Sequence, residues 1–460
     1  MSDNLKGYTG KAREVLKSFN MRIWSEAAIT TTRGNFQGIL LPRSENDDEV
    51  HIVIKLSTGY NIGIAVDTIQ DMKEYNFKEI QYKIAEREFP ISKDKHNVKL
   101  LGTGGTIASR LDYRTGAVIP AFSPGELYGA VPELADICNL STEKLFAVFS
   151  ENMGPAQYKI LAQAIGEEIK KGTHGIMIGH GTDTMSHTAA ALSFMVQNSP
   201  IPIVMVGSQR SSDRPSSDAA LNLIHAAKTA ADSDIAEVMV CMFGPTSDEY
   251  GLLHRGTRVR KMHSSYRSTF RTIGDIPLAM VDRQKITPLR QDYNHRRNDR
   301  EVTITAVFEE RVSLLYYYPN MNPDILDALV DMGYKGIVIA GTGLGHVNKL
   351  LYPAIKRAAL KGVAIYMTVQ TIWGYVNMFV YDTGRDLMTL GMIPAENMLP
   401  EVAYIKLGWA LGQTSDLAKV NEIMLTPICS EITEREPYNG YLIYQGGIPE
   451  VEEFIKKFHK

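Results

Sequence analysis

The chain has 460 residues, 44% of them hydrophobic and 22% charged, which is the composition of a globular protein with about three domains. Its formal net charge of -3 argues against nucleic-acid binding over the whole surface, although a local basic patch remains compatible with it. Three widely spaced cysteines (Cys138, Cys241 and Cys429) speak against a disulfide framework, and no signal peptide or membrane-spanning apolar run is present, which predicts a soluble, cytoplasmic protein.

Residues 1–92 are predicted to form a small β-barrel domain. A short helix is expected near Lys11–Phe19, and brief apolar runs separated by turn-forming residues follow it. Short strands at such spacing are typical of small barrels. The predicted strands are Ala28–Thr32, Phe36–Leu41, Val50–Leu56 and Asn61–Ile64, and the polar stretch Glu86–Asn97 is the predicted linker.

Residues 93–298 are predicted to form a large α/β domain, because apolar runs alternate there with helical patterns. This alternation predicts a parallel sheet covered by helices, followed by a less regular segment, Gly244–Asn298. The expected strands are Val98–Leu101, Gly175–Ile178, Ile201–Val206 and Ala236–Phe243, and the expected helices are Tyr158–Lys170, Thr188–Val196 and Asp218–Ala231.

Residues 299–430 are predicted to form a smaller α/β domain with a second parallel sheet, since the same alternation resumes there. The expected strands are Val302–Phe308, Val312–Tyr317, Gly336–Ile339 and Ala364–Thr368, and the expected helices are Pro323–Met332 and Leu350–Lys361. Residues 431–460 read as a polar tail with one helix near Val451–Phe458.

A glycine-rich loop follows the first predicted strand of the large domain, in the sequence LLGTGGTIASR. It fits neither the dinucleotide fingerprint nor the P-loop, since Ile107 stands where each needs a glycine and no lysine follows. Two interpretations remain open. The loop is a flexible turn after a strand, or its glycines let the backbone approach a ligand while Thr106 presents a nucleophilic hydroxyl.

A second loop, HGTDTM, follows the strand GIMI, so both loops are expected at the carboxyl ends of parallel strands, where ligands bind in open α/β sheets. It carries the hydroxyl of Thr182 beside the carboxylate of Asp183. A helix cap at Asp183 or Thr184 is the alternative. His180 and His187 are interpreted as loop histidines, because no further ligand stands at metal-binding spacing.

A basic segment, HRGTRVRKMHSS, contains Lys261 between further cations. A solvated or phosphate-contacting loop is the simpler interpretation. A threonine nucleophile, however, needs a base, and a lysine serves as one when burial or neighbouring cations such as Arg258 and Arg260 favour its neutral form. An aspartate would then orient the amine, as the third member of a catalytic triad orients the base.

The motifs TGGTIAS and HGTDTM, together with the downstream lysine, resemble the L-asparaginase family over about Val98 to Pro427. The resemblance implies two α/β domains and amide hydrolysis through an acyl-threonine intermediate. It also implies catalytic roles for Thr106, Thr182, Asp183 and Lys261.

The substrate site implied by the same resemblance includes Ser150, in the segment VFSEN, as the group that binds the α-carboxylate, while Asp183 also holds the α-ammonium group. Glu151, Gly105 and Gly181 are expected to complete this site. The family usually carries a tyrosine shortly after its first-loop threonine. Here Tyr113 comes early and the expected region reads Ala117-Val118-Ile119, which leaves the activation of Thr106 open.

An amino-terminal barrel combined with DYRTGAVIPAFSPGEL, SENM and GTRVRKMHSSYRSTF resembles, more narrowly, the family of D subunits of archaeal glutamyl-tRNA(Gln) amidotransferases. This resemblance implies a glutaminase that supplies ammonia to a partner E subunit, which binds tRNA(Gln) and uses ATP and magnesium. It further implies no cofactor or metal in this chain, a homodimer through the asparaginase-like domains, and a heterotetramer of two D and two E subunits.

Two other functions stay open at this point. A stand-alone cytoplasmic L-asparaginase with an accessory amino-terminal domain would use the same catalytic residues. A catalytically silent binding scaffold would lack at least one of them, and none of the four is missing.

Overall fold

In the computed structural model, the described residues form three main sheets that follow one another along the chain, together with three two-stranded ribbons. The described residues are 5, 7–43, 48–58, 61–77, 91–104, 109–111, 118–120, 127, 130–210, 216–245, 248–297 and 299–437. The predicted helix Val451–Phe458 and residues 86–90 of the predicted linker lie outside them. Among the described residues, no helix combines the length and the apolar character needed to cross a membrane.

The amino-terminal unit is an antiparallel sheet with one helix, and it buries alternate residues such as Ala27 and Ile29 in its own core. Its elements are α1 (Gly10–Ser18), β1 (Ser25–Thr31), β2 (Gly34–Leu40), β3 (His51–Leu56), β4 (Asn61–Ala65) and β5 (Ile69–Phe77), in the strand order β4-β3-β2-β1-β5. Strand β5 was not predicted, because its sequence, IQDMKEYNF, is largely polar. Between described residues no pairing joins β4 to β5, so closure into a barrel stays a prediction.

The large sheet is mixed rather than parallel throughout, which corrects the expectation for this domain. The order is β18-β17-β14-β13-β12-β10-β6-β9 within the described part of the chain. Strands β14, β17 and β18 each run antiparallel to the sheet strand that precedes them along the chain, β13, β14 and β17, respectively. They come from the segment expected to be irregular, where strands of three to five residues lie among many arginines, histidines and serines and form no clear apolar run. The strands are β6 (Asn97–Gly102), β9 (Asn139–Lys144), β10 (Gly175–Gly179), β12 (Ile203–Val206), β13 (Val238–Phe243), β14 (Gly251–Arg255), β17 (Ala279–Val281) and β18 (Ile286–Pro288).

Helices cover both faces of this sheet, which is why β10 is buried along its whole length. Ile176 and Ile178 point into the core on one side and Met177 into the core on the other. The helices are α2 (Leu134–Ile137), α3 (Pro155–Lys170), α4 (Met185–Met195) and α5 (Ala219–Asp232). Three short two-stranded ribbons lie outside the sheet: β7 (Ser109–Leu111) with β8 (Val118–Pro120), β11 (Val196–Gln197) with β19 (Thr303–Ile304), and β15 (Val259–Lys261) with β16 (Phe270–Thr272).

The second α/β unit has a parallel sheet in the order β20-β21-β22-β23, and its last helices were not predicted. Helix α9 (Pro400–Leu411) is buried on nearly all sides, its two charged residues included, and therefore shows no helical period. Its Trp409 stacks on Phe194 of the large domain, with ring centroids 5.7 Å apart. The elements are β20 (Val312–Tyr316), α6 (Asp324–Asp331), β21 (Gly336–Gly341), α7 (Tyr352–Leu360), β22 (Ala364–Val369), α8 (Asp382–Thr389), β23 (Ile393–Pro394), α9 (Pro400–Leu411) and α10 (Leu417–Leu425).

The residues after α10 fold back against both α/β units, and we call residues 426–437 the carboxyl-terminal strap. Glu431, expected to begin a polar tail, is fully buried and forms an ion pair with the equally buried Lys406. Lys406 also donates hydrogen bonds to the carbonyl oxygens of Met424 and Thr426. The start of the tail is therefore part of the folded structure.

Candidate active site

The first glycine loop leaves the sheet at the carboxyl end of β6 and is held against the neighbouring strand. Both the backbone N–H and the hydroxyl of Thr103 donate to the carbonyl oxygen of Gly179, at 3.0 and 2.9 Å. Gly104 has φ of +123°, and a Cβ atom there would lie 2.2 Å from the carbonyl oxygen of Val148. Only glycine fits this position. Gly105, Thr106 and Tyr113 lie outside the described residues, so their roles stay predictions.

The second loop begins with a buried histidine. His180 uses Nδ1 to donate to the carbonyl oxygen of Gly181 at 2.6 Å, since a carbonyl oxygen only accepts, and Nε2 accepts from the hydroxyl of Thr188 at 2.8 Å. Burial lowers the pKa of His180 to about 4, which keeps the ring neutral. His180 therefore shapes the loop. Within the described residues, no cluster of three or more histidine, cysteine or acidic side chains is arranged to hold a metal ion.

Lys261 joins the second loop to a distant ribbon. Its Nζ atom donates to Thr182 Oγ1 at 2.9 Å and to Asp183 Oδ1 at 2.7 Å. The side chains of Lys261 and Asp183 are 11% and 70% exposed, respectively. The amine thus approaches Thr182 from the protein interior, while most of the Asp183 carboxylate remains accessible to a substrate.

Asp183 does not cap the following helix. The residue that precedes α4 is Thr184, and its hydroxyl donates to the carbonyl oxygen of Ser150 at 2.5 Å instead of to the helix. The two threonines of HGTDTM therefore have different roles, since Thr182 contacts Lys261 and Thr184 binds the turn that begins at Ser150. The sequence offers Thr184 only as an alternative helix cap, and its place inside the motif is the one available signal of a further role.

Ser150 lies beside the second loop, as the predicted substrate site requires. A Cβ atom on Gly181 would lie 2.8 Å from the Cβ of Ser150, so this approach depends on glycine. Ser150 is buried at the start of a single 3-10 turn, Ser150–Asn152, and Glu151 is exposed on the same turn. The structure thus brings Ser150, Gly181, Thr182, Asp183 and Lys261 together.

The two arginines expected to act on Lys261 have other partners. The fully buried Arg258 donates from Nη1 to the carbonyl oxygen of Asn397 at 2.8 Å. Arg260 places Nε 3.6 Å from Glu401 Oε1, an ion pair with the second α/β unit. Both cations are therefore engaged by groups outside the lysine's own contacts, and the sequence alone does not predict these partners.

Comparison with known proteins shows three similarities along the chain. A family model described as Asparaginase, N-terminal, matches residues 97–293, and one described as Glutaminase/Asparaginase C-terminal domain matches residues 311–424. A third, described as GatD N-terminal domain, matches residues 25–73. The three models together cover each of the sheets described above.

Two similar proteins carry the name of the D subunit of glutamyl-tRNA(Gln) amidotransferase. The chain is 51% identical to the one from Pyrococcus furiosus, over 89% of this chain and 93% of that protein. It is 46% identical to the one from Methanopyrus kandleri, over 95% of this chain and 97% of that protein.

Two solved structures share the α/β portion. The thermostable L-asparaginase from Thermococcus kodakarensis matches with a TM-score of 0.66 and 30% identity, over 73% of this chain and 99% of that one. L-asparaginase I from Vibrio cholerae matches with a TM-score of 0.65 and 26% identity, over 74% of this chain and 99% of that one. Nearly the whole length of each asparaginase is thus matched by about three quarters of this chain.

Proposed function

Because the chain belongs to the family of glutamyl-tRNA(Gln) amidotransferase D subunits, with an asparaginase-like α/β core, we propose that it releases ammonia from glutamine for tRNA-dependent amidation. The contact of Lys261 with Thr182 and Asp183 is the observation that carries the chemistry. The amino-terminal match at residues 25–73 favours this function over a stand-alone asparaginase with an accessory domain.

The proposed reaction begins with proton transfer. Lys261 in its neutral form, oriented by Asp183, accepts the hydroxyl proton of a threonine as that oxygen attacks the side-chain amide carbon of glutamine. We favour Thr106 as the nucleophile, with Thr182 next. The proton then passes to the leaving nitrogen, ammonia departs, and an acyl-threonine ester remains. A water molecule, deprotonated in the same way, attacks the ester carbon and yields glutamate and the free threonine.

Backbone N–H groups are the proposed stabilisers of the negatively charged oxygen that develops in each step. Those of Gly181, Thr182 and Asp183 make no hydrogen bond within the described part of the chain, and they belong to the loop contacted by Lys261. The loop at Gly104–Thr106 is the alternative donor set. Ser150 and Asp183 would bind the α-carboxylate and α-ammonium groups of glutamine, with Glu151, Gly105 and Gly181 around them.

The relatives are named as subunits, so we propose that this chain also works in a multi-subunit amidotransferase of the cytoplasm. An E subunit would bind tRNA(Gln) and supply the ATP- and magnesium-dependent activation, in a heterotetramer of two D and two E subunits built on a homodimer of this chain. Amidation needs ammonia rather than ammonium, which favours a buried route between the two sites.

Ammonia release by the purified full-length chain, with glutamine and asparagine compared, tests the proposed function. We expect glutamine to be hydrolysed and asparagine to be hydrolysed little or not at all. Rapid hydrolysis of asparagine would establish the stand-alone asparaginase instead.

A labelling experiment tests the buried route for ammonia. In the assembled enzyme, product made from amide-labelled glutamine should keep its label when unlabelled ammonium is added, and free dilution of the label would contradict a closed route.

A further inference from the structure

Lys261 stands on a ribbon that is separate from the main sheet. Its strand, β15, pairs only with β16 in the described structure, with Lys261 opposite Phe270. The loop that carries Thr182, in contrast, continues directly from β10 in the middle of the large sheet. The contact between Lys261 and Thr182 therefore depends on what holds the ribbon against the sheet.

The residues just before Lys261 are held by the second α/β unit and the strap. Arg258 Nη1 donates to the carbonyl oxygen of Asn397 at 2.8 Å, and its Nη2 donates to Thr433 Oγ1 at 2.9 Å. The side chain of Asn397 binds Thr433 twice, accepting from its N–H at 3.0 Å and donating to its Oγ1 at 2.7 Å. We call Arg258, Asn397 and Thr433 the clamp.

Two further contacts hold the same stretch. The hydroxyl of Thr257 donates to the carbonyl oxygen of Cys429 in the strap at 2.7 Å. Arg260 forms its ion pair with Glu401, in the first turn of α9, at 3.6 Å. Three of the four residues before Lys261 are thus fixed by groups that lie at least 139 positions later in the sequence.

The clamp buries a charge and holds it with uncharged hydrogen-bonding partners. Arg258 is fully buried, and the hydrogen bonds of its guanidinium among the described residues go to an uncharged carbonyl oxygen and an uncharged hydroxyl rather than to a carboxylate. Burial lowers its pKa, and Asp275, Glu436 and Glu431 oppose that effect only from farther away. A buried guanidinium is a poor source of stability compared with an apolar side chain of the same size. The directional hydrogen bonds of the Arg258 guanidinium, however, fix the position of the backbone segment to which Arg258 belongs.

We propose that Arg258, held by Asn397 and Thr433, is a positioning residue for Lys261, so that the second α/β unit and the strap place the lysine against Thr182. This inference rests on the proposed function, since it takes Lys261 as the base of that reaction. Arg258 does not act on the substrate. It fixes the distance over which Lys261 accepts the proton.

The experiment compares Thr433→Val and Arg258→Met with the unchanged full-length chain. Each should lower kcat for glutamine by about 10- to 100-fold, because displacing a catalytic group by about 1 Å has effects of that size. KM should change by less than about twofold, since the groups proposed to bind glutamine are untouched. Arg258→Lys, which keeps the charge but has a single donor nitrogen in place of the guanidinium fork, should fall between Arg258→Met and the unchanged chain.

Arg296→Met is the matched control. Arg296 also donates to backbone carbonyl oxygens, those of Ser233, His174 and Ala230, but His174 precedes β10 at the end of the sheet opposite the loops. We expect this variant to lower thermal stability and to leave kcat within about twofold of the unchanged chain. Equal losses of kcat in Arg296→Met and Thr433→Val would make the clamp a source of stability alone and overturn the inference.

A second readout does not depend on activity. Backbone hydrogen exchange in residues 256–272 should become faster in Thr433→Val, while exchange in β10 stays unchanged. Unchanged exchange together with full activity in both clamp variants would refute the clamp. If the unchanged chain released no ammonia from glutamine, the proposed function would fail, and the exchange result would still decide whether the clamp holds the ribbon.

Discussion

Replacing Lys261 by methionine should separate catalysis from stability. Methionine keeps the apolar stem of the buried side chain and removes the amine that contacts Thr182 and Asp183 at 2.9 and 2.7 Å. A general base in such a position contributes about 10²- to 10⁴-fold to the rate. The activation barrier for glutamine hydrolysis should therefore rise by about 2.7 to 5.4 kcal/mol, and the loss of rate should appear as a lower kcat.

The free energy of unfolding should change far less. Asp183, the acidic partner, is 70% exposed, and ion pairs with an exposed partner contribute about 0 to 1 kcal/mol. Water can solvate the carboxylate once the amine is gone. We therefore expect Lys261→Met to unfold in urea within about 1 kcal/mol of the unchanged chain.

The assay measures ammonia release from glutamine under saturating and limiting substrate, alongside urea unfolding. Lys228→Met is the control, because Lys228 is similarly buried, 16% exposed, and pairs with Asp232 on α5 away from both loops. It should keep its full rate. Combining Lys261→Met with Asp183→Asn should lower kcat at saturating glutamine by no more than about threefold beyond the single change, since the two side chains act as one unit in the chemical step. A rate within about tenfold of the unchanged chain for Lys261→Met would refute the assigned role.

Three further predictions concern stability. Gly104→Ala should destabilise the chain by about 1 to 3 kcal/mol in urea unfolding and reduce ammonia release, because its φ is +123° and its Cβ would overlap a carbonyl oxygen. Lys406→Met should cost about 3 to 5 kcal/mol of unfolding free energy, since it leaves the buried carboxylate of Glu431 unpaired, and a loss below about 1 kcal/mol would contradict this. Burial lowers the pKa of His180 and of His225 to about 4. Between about pH 6.5 and pH 4 the unfolded chain binds protons that the folded chain does not, so each histidine should lower stability by about 1.4 kcal/mol per pH unit of acidification. Urea unfolding across that range measures the slope, which removal of either histidine should reduce.

The predicted helices and strands are confirmed where the residues of a segment themselves show the pattern of a helix or a strand. The strand GIMI and the helix near Asp218–Ala231 appear as β10 and α5 with ends shifted by one residue. Strands β14, β17 and β18 escaped prediction because they are short and lie in a segment rich in arginine, histidine and serine, where no apolar run stands out. They are stabilised by pairing with neighbouring strands. Helix α9 escaped for the opposite reason, since burial on nearly all sides removes the polar face that marks a helix.

The candidate site likewise has one part that local sequence predicts and one part that depends on tertiary packing. Local sequence determined that two glycine-bearing loops leave neighbouring parallel strands, because strand and turn propensities act over a few residues, and it placed Thr182 and Asp183 on one of those loops. Only the tertiary structure decided that Lys261 meets them. The lysine comes 79 positions after Thr182, on a ribbon outside the sheet, and contacts over that distance depend on packing rather than pattern. The same holds for Arg258 and Glu431, polar residues that read as surface in the sequence and are buried because residues 139 and 25 positions away, respectively, supply their hydrogen-bonding partners.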